Sequence, residues 1–380
     1  MMRRTIFDED HKLYRSAVRE FLAAEIAPHH DKWEVDGVVS REAWLAAGAG
    51  GHLCHAVAEE YGGAGVADFR FPVVLMEEMA HSLASGPGFA VHSEMVVPYI
   101  TEHASDEQKE RWLPGCVAGS LITAVAMSEP GTGSDLAGIA TRAERDGDSY
   151  VLNGAKTFIS NGQLADLVIV VARTAEDPHR GLTLLVVERG MAGFARGKNL
   201  DKVGMKAQDT SELFFTDVRV PVENRIGEEG AGFFYLMSGL ERERMSIAVG
   251  AVAAAKKAFD LTREYVASRH AFGRPIGKFQ NTRFWLAEMA TEIQVAEVFI
   301  DRCTMELVEG RLTADTAAMA KWWSTELQLR AIDRGVQLHG GYGYMNEYPI
   351  ARMYADSRAQ TIYGGTTEIM KELIGRGLGI

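Results

Sequence analysis

The stretch LERERMSIAVG, residues 240–250, holds two glutamates two positions apart. On a helix Glu243 shares one face with Ile247, Gly250 and Ala254, at i+4, i+7 and i+11. Two of those residues are small and are compatible with close approach by another body. A carboxylate held among apolar neighbours has its pKa raised and becomes a competent proton acceptor. Glu241 points about 200° away around the same helix, two steps of about 100° each. The plainer reading is a solvated charge run, with Glu241 and Arg244 paired at i+3.

Four further segments carry residue types suited to holding a ligand. In AMSEPGTGSDLAG, 126–138, short hydroxyl residues and glycines follow a strand, so hydroxyls and backbone N–H groups can face a ligand closely. The same composition suits a surface turn. KTFISNG, 156–162, offers Phe158 as half-buried core or as a ligand cover. SRHAFGRPIGKFQ, 268–280, puts Arg269 at a helix C-terminus, where a cation is favourable, with Gly273 and Pro275 as stop signals. QLHGGYGYMNEYPIARMYAD, 337–356, reads as a helix closed by Gly340-Gly341, a loop, and a helix that includes Ile350. Two residues without Cβ also let the backbone touch a phosphate. Last, QTIYGGTTEIMKEL, 360–373, joins two helical stretches through a Gly-Gly step.

The elements that position these segments change period twice. HKLYRSAVREFLAAEI has apolar residues at Leu13, Tyr14, Ala17, Val18, Phe21, Leu22 and Ile26, a stripe of period 3.6. DFRFPVVLMEEMAHSLASG and SDEQKERWLPGCVAG continue this character, the second with Ser105 as N-cap and Gln108 three residues on. From residue 121 short apolar runs bounded by turn residues take over, and Asn153-Gly154 predicts a hairpin with KTFISNG as its return strand. Beyond 228 the helical period returns, with Ala248, Ala251, Val252, Ala255, Phe259, Thr262 and Val266 as one stripe. The division is therefore helices over 1–120, a β-domain over 121–228 and a helical bundle over 229–380, an α+β chain. Neither GGYGYM nor GTGSD opens a helix after a strand, so no dinucleotide fingerprint is met.

A net charge of −12 with no basic run argues against nucleic acid or an anionic membrane surface. No apolar stretch reaches the roughly 18 residues that a spanning helix needs. The start has two arginines, then acids and no apolar core, unlike a secretory signal or transit peptide. Cys54, Cys116 and Cys303 are far apart and read as reduced, buried thiols with no metal site; the expected compartment is cytoplasmic.

Nearly the whole chain, 5–378, resembles the acyl-CoA dehydrogenases, and MKAQDTSELFF, MAKWWSTELQ and IYGGTTEIMKELI resemble the long-chain type most. The resemblance implies an N-terminal helical domain, a central β-barrel and a C-terminal four-helix bundle, assembled as a homotetramer with one FAD per subunit. It places Met127, Ser128, Phe158 and Ser160 at the flavin ring and Ser134 at the CoA moiety. Arg269, Phe272 and Gln280 would reach the FAD of a neighbouring subunit, with Arg269 on the pyrophosphate. Gln337, Gly340 and Gly341 would hold the diphosphate; Thr366 and Glu368 match FAD-holding positions, where Glu368 replaces the more common Asn or Gln. Phe234, Glu241 and Arg244 match substrate-lining positions, and Arg242 falls near the entrance or solvent.

The reaction implied is α,β-dehydrogenation of acyl-CoA to trans-2-enoyl-CoA in fatty acid β-oxidation, with electrons passed to an electron-transferring flavoprotein. Most relatives carry the catalytic glutamate before Gly-Thr in the last loop; here that place holds Gly364, which can abstract no proton. Its backbone N–H can still polarise the thioester oxygen. In the long-chain and isovaleryl types the base stands in a Glu-Arg pair on a helix, which corresponds to Glu243 followed by Arg244. The same fold also hosts flavin oxidases, monooxygenases and non-catalytic subunits of hetero-oligomers.

Overall fold

The computed structural model describes residues 2–379. Six helices come first: α1 (Glu9–Phe21), α2 (Ala27–Asp36), α3 (Arg41–Ala49), α4 (Arg70–His81), α5 (Val97–His103) and α6 (Asp106–Val117). The start of α6 is a full capping box. Ser105 accepts from the Gln108 amide, and the Gln108 side chain accepts from the Ser105 amide. On α1 the apolar stripe is narrower than its spacing suggests. Val18 and Phe21 are buried, but Leu13 is 63% exposed and Ala17 is exposed too.

Two π-turns, Leu22–Ile26 and Val91–Val96, lead into α2 and α5. Pro28 and Pro98 stand just after them. A proline has no N–H for the carbonyl four residues back, so the turn ahead of it widens.

Eight strands follow: β1 (Thr123–Ala126), β2 (Arg142–Asp146), β3 (Ser149–Ser160), β4 (Leu167–Arg173), β5 (Leu182–Glu188), β6 (Phe194–Asn199), β7 (Thr210–Pro221) and β8 (Arg225–Ile226). They form one sheet in the order β6-β7-β3-β2-β4-β5-β8, with β1 parallel to β4. The sheet wraps its own core of Tyr150, Leu152, Val168, Val170, Leu185, Val187, Phe215 and Val218, while the hydrogen-bond path stays open between β6 and β8. The opposite faces of β4 and β5 (Ile169, Val171, Leu184, Val186) join the core of the first six helices. Strands buried on both sides explain the near-continuous apolar runs.

The hairpin expected at Asn153-Gly154 is not there. β3 runs straight through both residues, and the turn lies earlier, where β2 pairs antiparallel with β3 from Asp146↔Ser149. KTFISNG is therefore the second half of one long strand, not a return strand. Gly154 marks a bulge with φ +152°, where a Cβ would stand 2.5 Å from Thr141 Oγ1. The Asn153 side chain is tied to Asp217 in both directions.

The chain ends in α7 (Gly232–Ser268), the small ribbon β9 (His270–Ala271) with β10 (Arg274–Pro275), then α8 (Gln280–Val308), α9 (Ala314–His339), α10 (Pro349–Ser357) and α11 (Thr367–Gly377). The 37 residues of α7 span about 55 Å. Its stripe from Ala248 to Val266 is buried at every position the spacing named. Phe69, Val73 and Met76, at and within α4, pack into this bundle core, so α7 touches both helical regions. Cys54, Cys116 and Cys303 are buried and unpaired. No helix among the described residues is long and apolar enough to cross a membrane.

Candidate active site

Glu243 and Arg244 sit in the fourth turn of α7, and both are buried, at 7% and 5% exposure. Burial pushes the Glu243 carboxyl up from 4.5 to about 7; a hydrogen bond from Tyr99 and the charge of Arg244 act against that rise. Tyr99 Oη lies 2.9 Å from Glu243 Oε1. Burial moves Arg244 the other way, below its ordinary value, opposed by Glu241 and Glu243. Arg244 Nε has no hydrogen-bond partner among the described residues. The ERER run is therefore not a solvated face: Glu241 is only half-buried, and no Glu241–Arg244 ion pair forms within 4.0 Å among the described residues.

Arg242 departs from the expectation that it faces the entrance or solvent. Its guanidinium turns to Glu94 of the Val91–Val96 turn, 3.3 Å away, and lies over the Phe69 ring. A cation one step round the helix from Glu243 meets the wall of the N-terminal helices rather than water.

The Gly-Gly loop meets α7 one turn beyond Glu243. Gly364 has φ +63° and Gly365 φ +94°, both in the region that favours glycine. A Cβ on Gly364 would stand 2.3 Å from Ile247 Cδ1. Ile247 thus fills the place a side chain at 364 would need. Lys321 of α9 is fully buried and donates to the Gly365 carbonyl at 2.6 Å. Burial, with Arg244 nearby, lowers Lys321 to about 8. Glu243, Ile247, Gly364, Gly365, Lys321 and Arg244 form one cluster drawn from α7, α9 and the last loop. Thr366 caps α11 by accepting from the Ile369 amide, and Glu368 is exposed in the first helical turn, where a negative charge suits the dipole.

The β-domain supplies a second group. Met127 and Ser128 are half-buried beside β3. The Met127 carbonyl accepts from Lys156 Nζ at 3.0 Å, and the Ser128 carbonyl from the Thr157 amide. Lys156 is fully buried and paired with Glu129 at 2.8 Å, whose carboxylate also accepts from the amides of Ala140 and Thr141. This pair pins both ends of the 127–138 loop, on which Ser134 is exposed. Phe158 is 70% exposed at a register shift in β3, with φ +60°. A bulky residue held in that backbone region and turned outward is strain that a surrounding sheet sustains at a ligand site. Ser160 is half-buried two residues on.

Arg269, Gln337, Gly340 and Gly341 line one cleft of about 460 Å3, with Tyr265, Tyr342 and Met345. Gly340 has φ +60° and ψ −137°, and a Cβ at either glycine would meet nothing within 4 Å. Bare backbone facing open space beside a guanidinium fits a diphosphate. Phe272, 96% exposed with φ +51°, projects from the turn of the ribbon after α7, and Gln280 is exposed at the start of α8; Phe234 is exposed in the first turn of α7. The sequence reading missed Tyr99, Lys156 with Glu129, Lys321 and the Glu94–Arg242 pair. Only spatial proximity reveals them, since Tyr99 and Glu243 are 144 residues apart.

Three family models match in order: the acyl-CoA dehydrogenase N-terminal domain over 8–120, the middle domain over 124–218 and the C-terminal domain over 230–379. The chain belongs to the acyl-CoA dehydrogenase family. It is 50% identical over 376 residues to the mitochondrial long-chain specific acyl-CoA dehydrogenase of Mus musculus, which covers 98% of this chain and 87% of that protein. A crystal structure of an acyl-CoA dehydrogenase from Geobacillus kaustophilus matches with a TM-score of 0.97 at 49% identity, covering 98% of this chain and 99% of the other. A glutaryl-CoA dehydrogenase from Mycobacterium smegmatis, in complex with FADH2, matches at 0.90 and 28% identity, covering 98% and 95%. The helical, β and helical regions of this acyl-CoA dehydrogenase thus follow the order that its sequence implied, and the chain is an oxidoreductase.

Proposed function

We propose that this enzyme removes the α-proton and β-hydride of an acyl-CoA thioester to give the trans-2-enoyl-CoA, with Glu243 as base. One observation carries the reading. The buried Glu243 carboxyl stands one helical turn from Ile247, whose Cδ1 closes over the bare Gly364. The proton acceptor has moved to the helix, and the vacated loop position has been filled from that same helix.

Glu243 deprotonated accepts the α-proton, and its raised pKa of about 7 makes it a stronger base than an exposed glutamate. The Gly364 N–H stabilises the negative charge that builds on the thioester oxygen, a role that survives loss of the side chain. Lys321 holds that loop through the Gly365 carbonyl. FAD fits the residues present: Gly340, Gly341, Gln337 and Arg269 around the diphosphate, Met127, Ser128, Phe158 and Ser160 at the ring, Thr366 and Glu368 beyond. When bound, it supplies the acceptor for the hydride leaving Cβ. Ser134, Phe234, Glu241 and Arg244 would line the substrate path. Phe272 and Gln280, exposed in the single chain, suit contact with the FAD of a second subunit in a homotetramer. Electrons would then pass to an electron-transferring flavoprotein.

The test is anaerobic bleaching of the bound flavin by saturated acyl-CoAs of varied length and branching, followed by reoxidation. Bleaching with enoyl-CoA formed, and reoxidation faster by an electron-transferring flavoprotein than by air, is the expected result. Rapid air oxidation with peroxide released would make the chain an oxidase of the same fold.

A further inference from the structure

The base takes one hydrogen bond, and it comes from another part of the fold. Among the described residues, Glu243 Oε1 accepts from Tyr99 Oη at 2.9 Å, while Oε2 accepts from no group. Tyr99 belongs to α5, is 3% exposed, and is built into the core of the N-terminal helices. Its ring lies along α7 over Gly239, one turn before Glu243: a Cβ on Gly239 would be 3.4 Å from Oη and 3.7 Å from Cζ. The phenol is thus aimed down the helix face at the carboxyl. We infer that Tyr99 is the positioning residue of the base: its O–H holds Glu243 in the charged, proton-accepting form and leaves Oε2 as the oxygen that meets the substrate.

The physical reasons are two. A dry pocket disfavours a carboxylate, and a donor aimed at it offsets part of that cost. A bond to one oxygen also fixes the rotamer, so the other oxygen is presented in one direction. Tyr99 can only donate here, because burial, and then the Glu243 charge, push the phenol well above its ordinary pKa. Among the described residues, none of the other charged groups near the base makes a hydrogen bond to it. Arg244 on α7 favours the carboxylate through space without a bond to it. Lys321 of α9 is turned to the Gly365 carbonyl. Glu94 of the Val91–Val96 turn is matched by Arg242, and Glu102 of α5 acts on Tyr99 itself. Among the described residues, no second donor bonds the Glu243 carboxyl.

The inference rests on Glu243 being the base, and the experiment separates the two. FAD-loaded parent, Tyr99→Phe and Glu243→Gln proteins are compared by the pH dependence of kcat/KM for flavin reduction, whose acid limb reports the free-enzyme base. Tyr99→Phe should move that limb up by about one pH unit. Its rate should be about fivefold low at pH 7, as the deprotonated fraction falls, and recover at high pH. Site-specific 3-fluorotyrosine at 99, a stronger donor of nearly the same volume, should move the limb down. A limb that stays put in both variants, whether the rate is unchanged or falls evenly at all pH, overturns the inference. Flavin reduction retained by Glu243→Gln overturns instead the assignment of the base.

Discussion

Replacing Glu243 by glutamine should stabilise the protein, and only at neutral and alkaline pH. The folded carboxyl lies at about 7, against 4.5 for a glutamate in an unfolded chain. Below pH 4.5 both states carry the proton and the group exacts no extra cost. As the pH rises from 4.5 to 7, the unfolded chain releases the proton first, so stability falls through that window. Above about 7 the folded state holds a buried carboxylate and the whole penalty is present. The gap between the two values, at about 1.4 kcal/mol per unit, makes that penalty about 3 kcal/mol. Glutamine has nearly the same shape, keeps an oxygen to accept from Tyr99 and never ionises. Urea unfolding of the FAD-loaded parent and Glu243→Gln proteins at pH 8 and pH 5 measures it. Every other titrating group is common to both proteins, so the difference isolates residue 243. The variant should be more stable by about 3 kcal/mol at pH 8, with most of the gap gone at pH 5. A gap independent of pH, or a less stable variant at pH 8, would refute the claim that this carboxylate is held at a cost in a dry site.

Gly364→Ala should destabilise by about 1–3 kcal/mol, because alanine resists φ +63° and its Cβ meets Ile247 Cδ1. Adding Ile247→Val removes the crowding atom and should recover only part of that loss in thermal denaturation. Lys321→Met should leave the melting temperature level or higher, since burying an ammonium is costly, while kcat/KM falls about tenfold or more as the oxyanion loop loosens. Lys156→Met should lose FAD on dialysis, because it leaves the Glu129 carboxylate buried and unpaired and frees the 127–138 loop; removing one partner of a buried pair costs about 3–5 kcal/mol.

Periodicity carried far where burial is one-sided. The Ala248–Val266 stripe reads correctly because one face of α7 meets α4, α8 and α9. It misled on α1, where Leu13 and Ala17 are apolar but stay exposed. Asn153-Gly154 misled for a different reason. The dipeptide suits a tight turn, yet here the glycine accommodates a bulge against Thr141 within one strand. The same conformational freedom serves both uses, and only the partner strand decides between them. At the site, Gly364 and the Glu-Arg pair pointed to a carboxylate on α7, because a missing side chain is visible in a sequence. Lys321, Lys156 and Tyr99 gave no such sign. A buried lysine or tyrosine has the same letter as an exposed one, and its role follows from which carbonyl or carboxylate the fold brings to it. The turn of Arg242 to Glu94 belongs to the same class of contact.

The proposed mechanism requires residue 243 to take the proton. Purified Glu243→Gln protein, mixed anaerobically with a saturated acyl-CoA that bleaches the parent, decides it. FAD should stay bound at parental occupancy, with a visible flavin band that acyl-CoA leaves unchanged. Bleaching at the parental rate would contradict it.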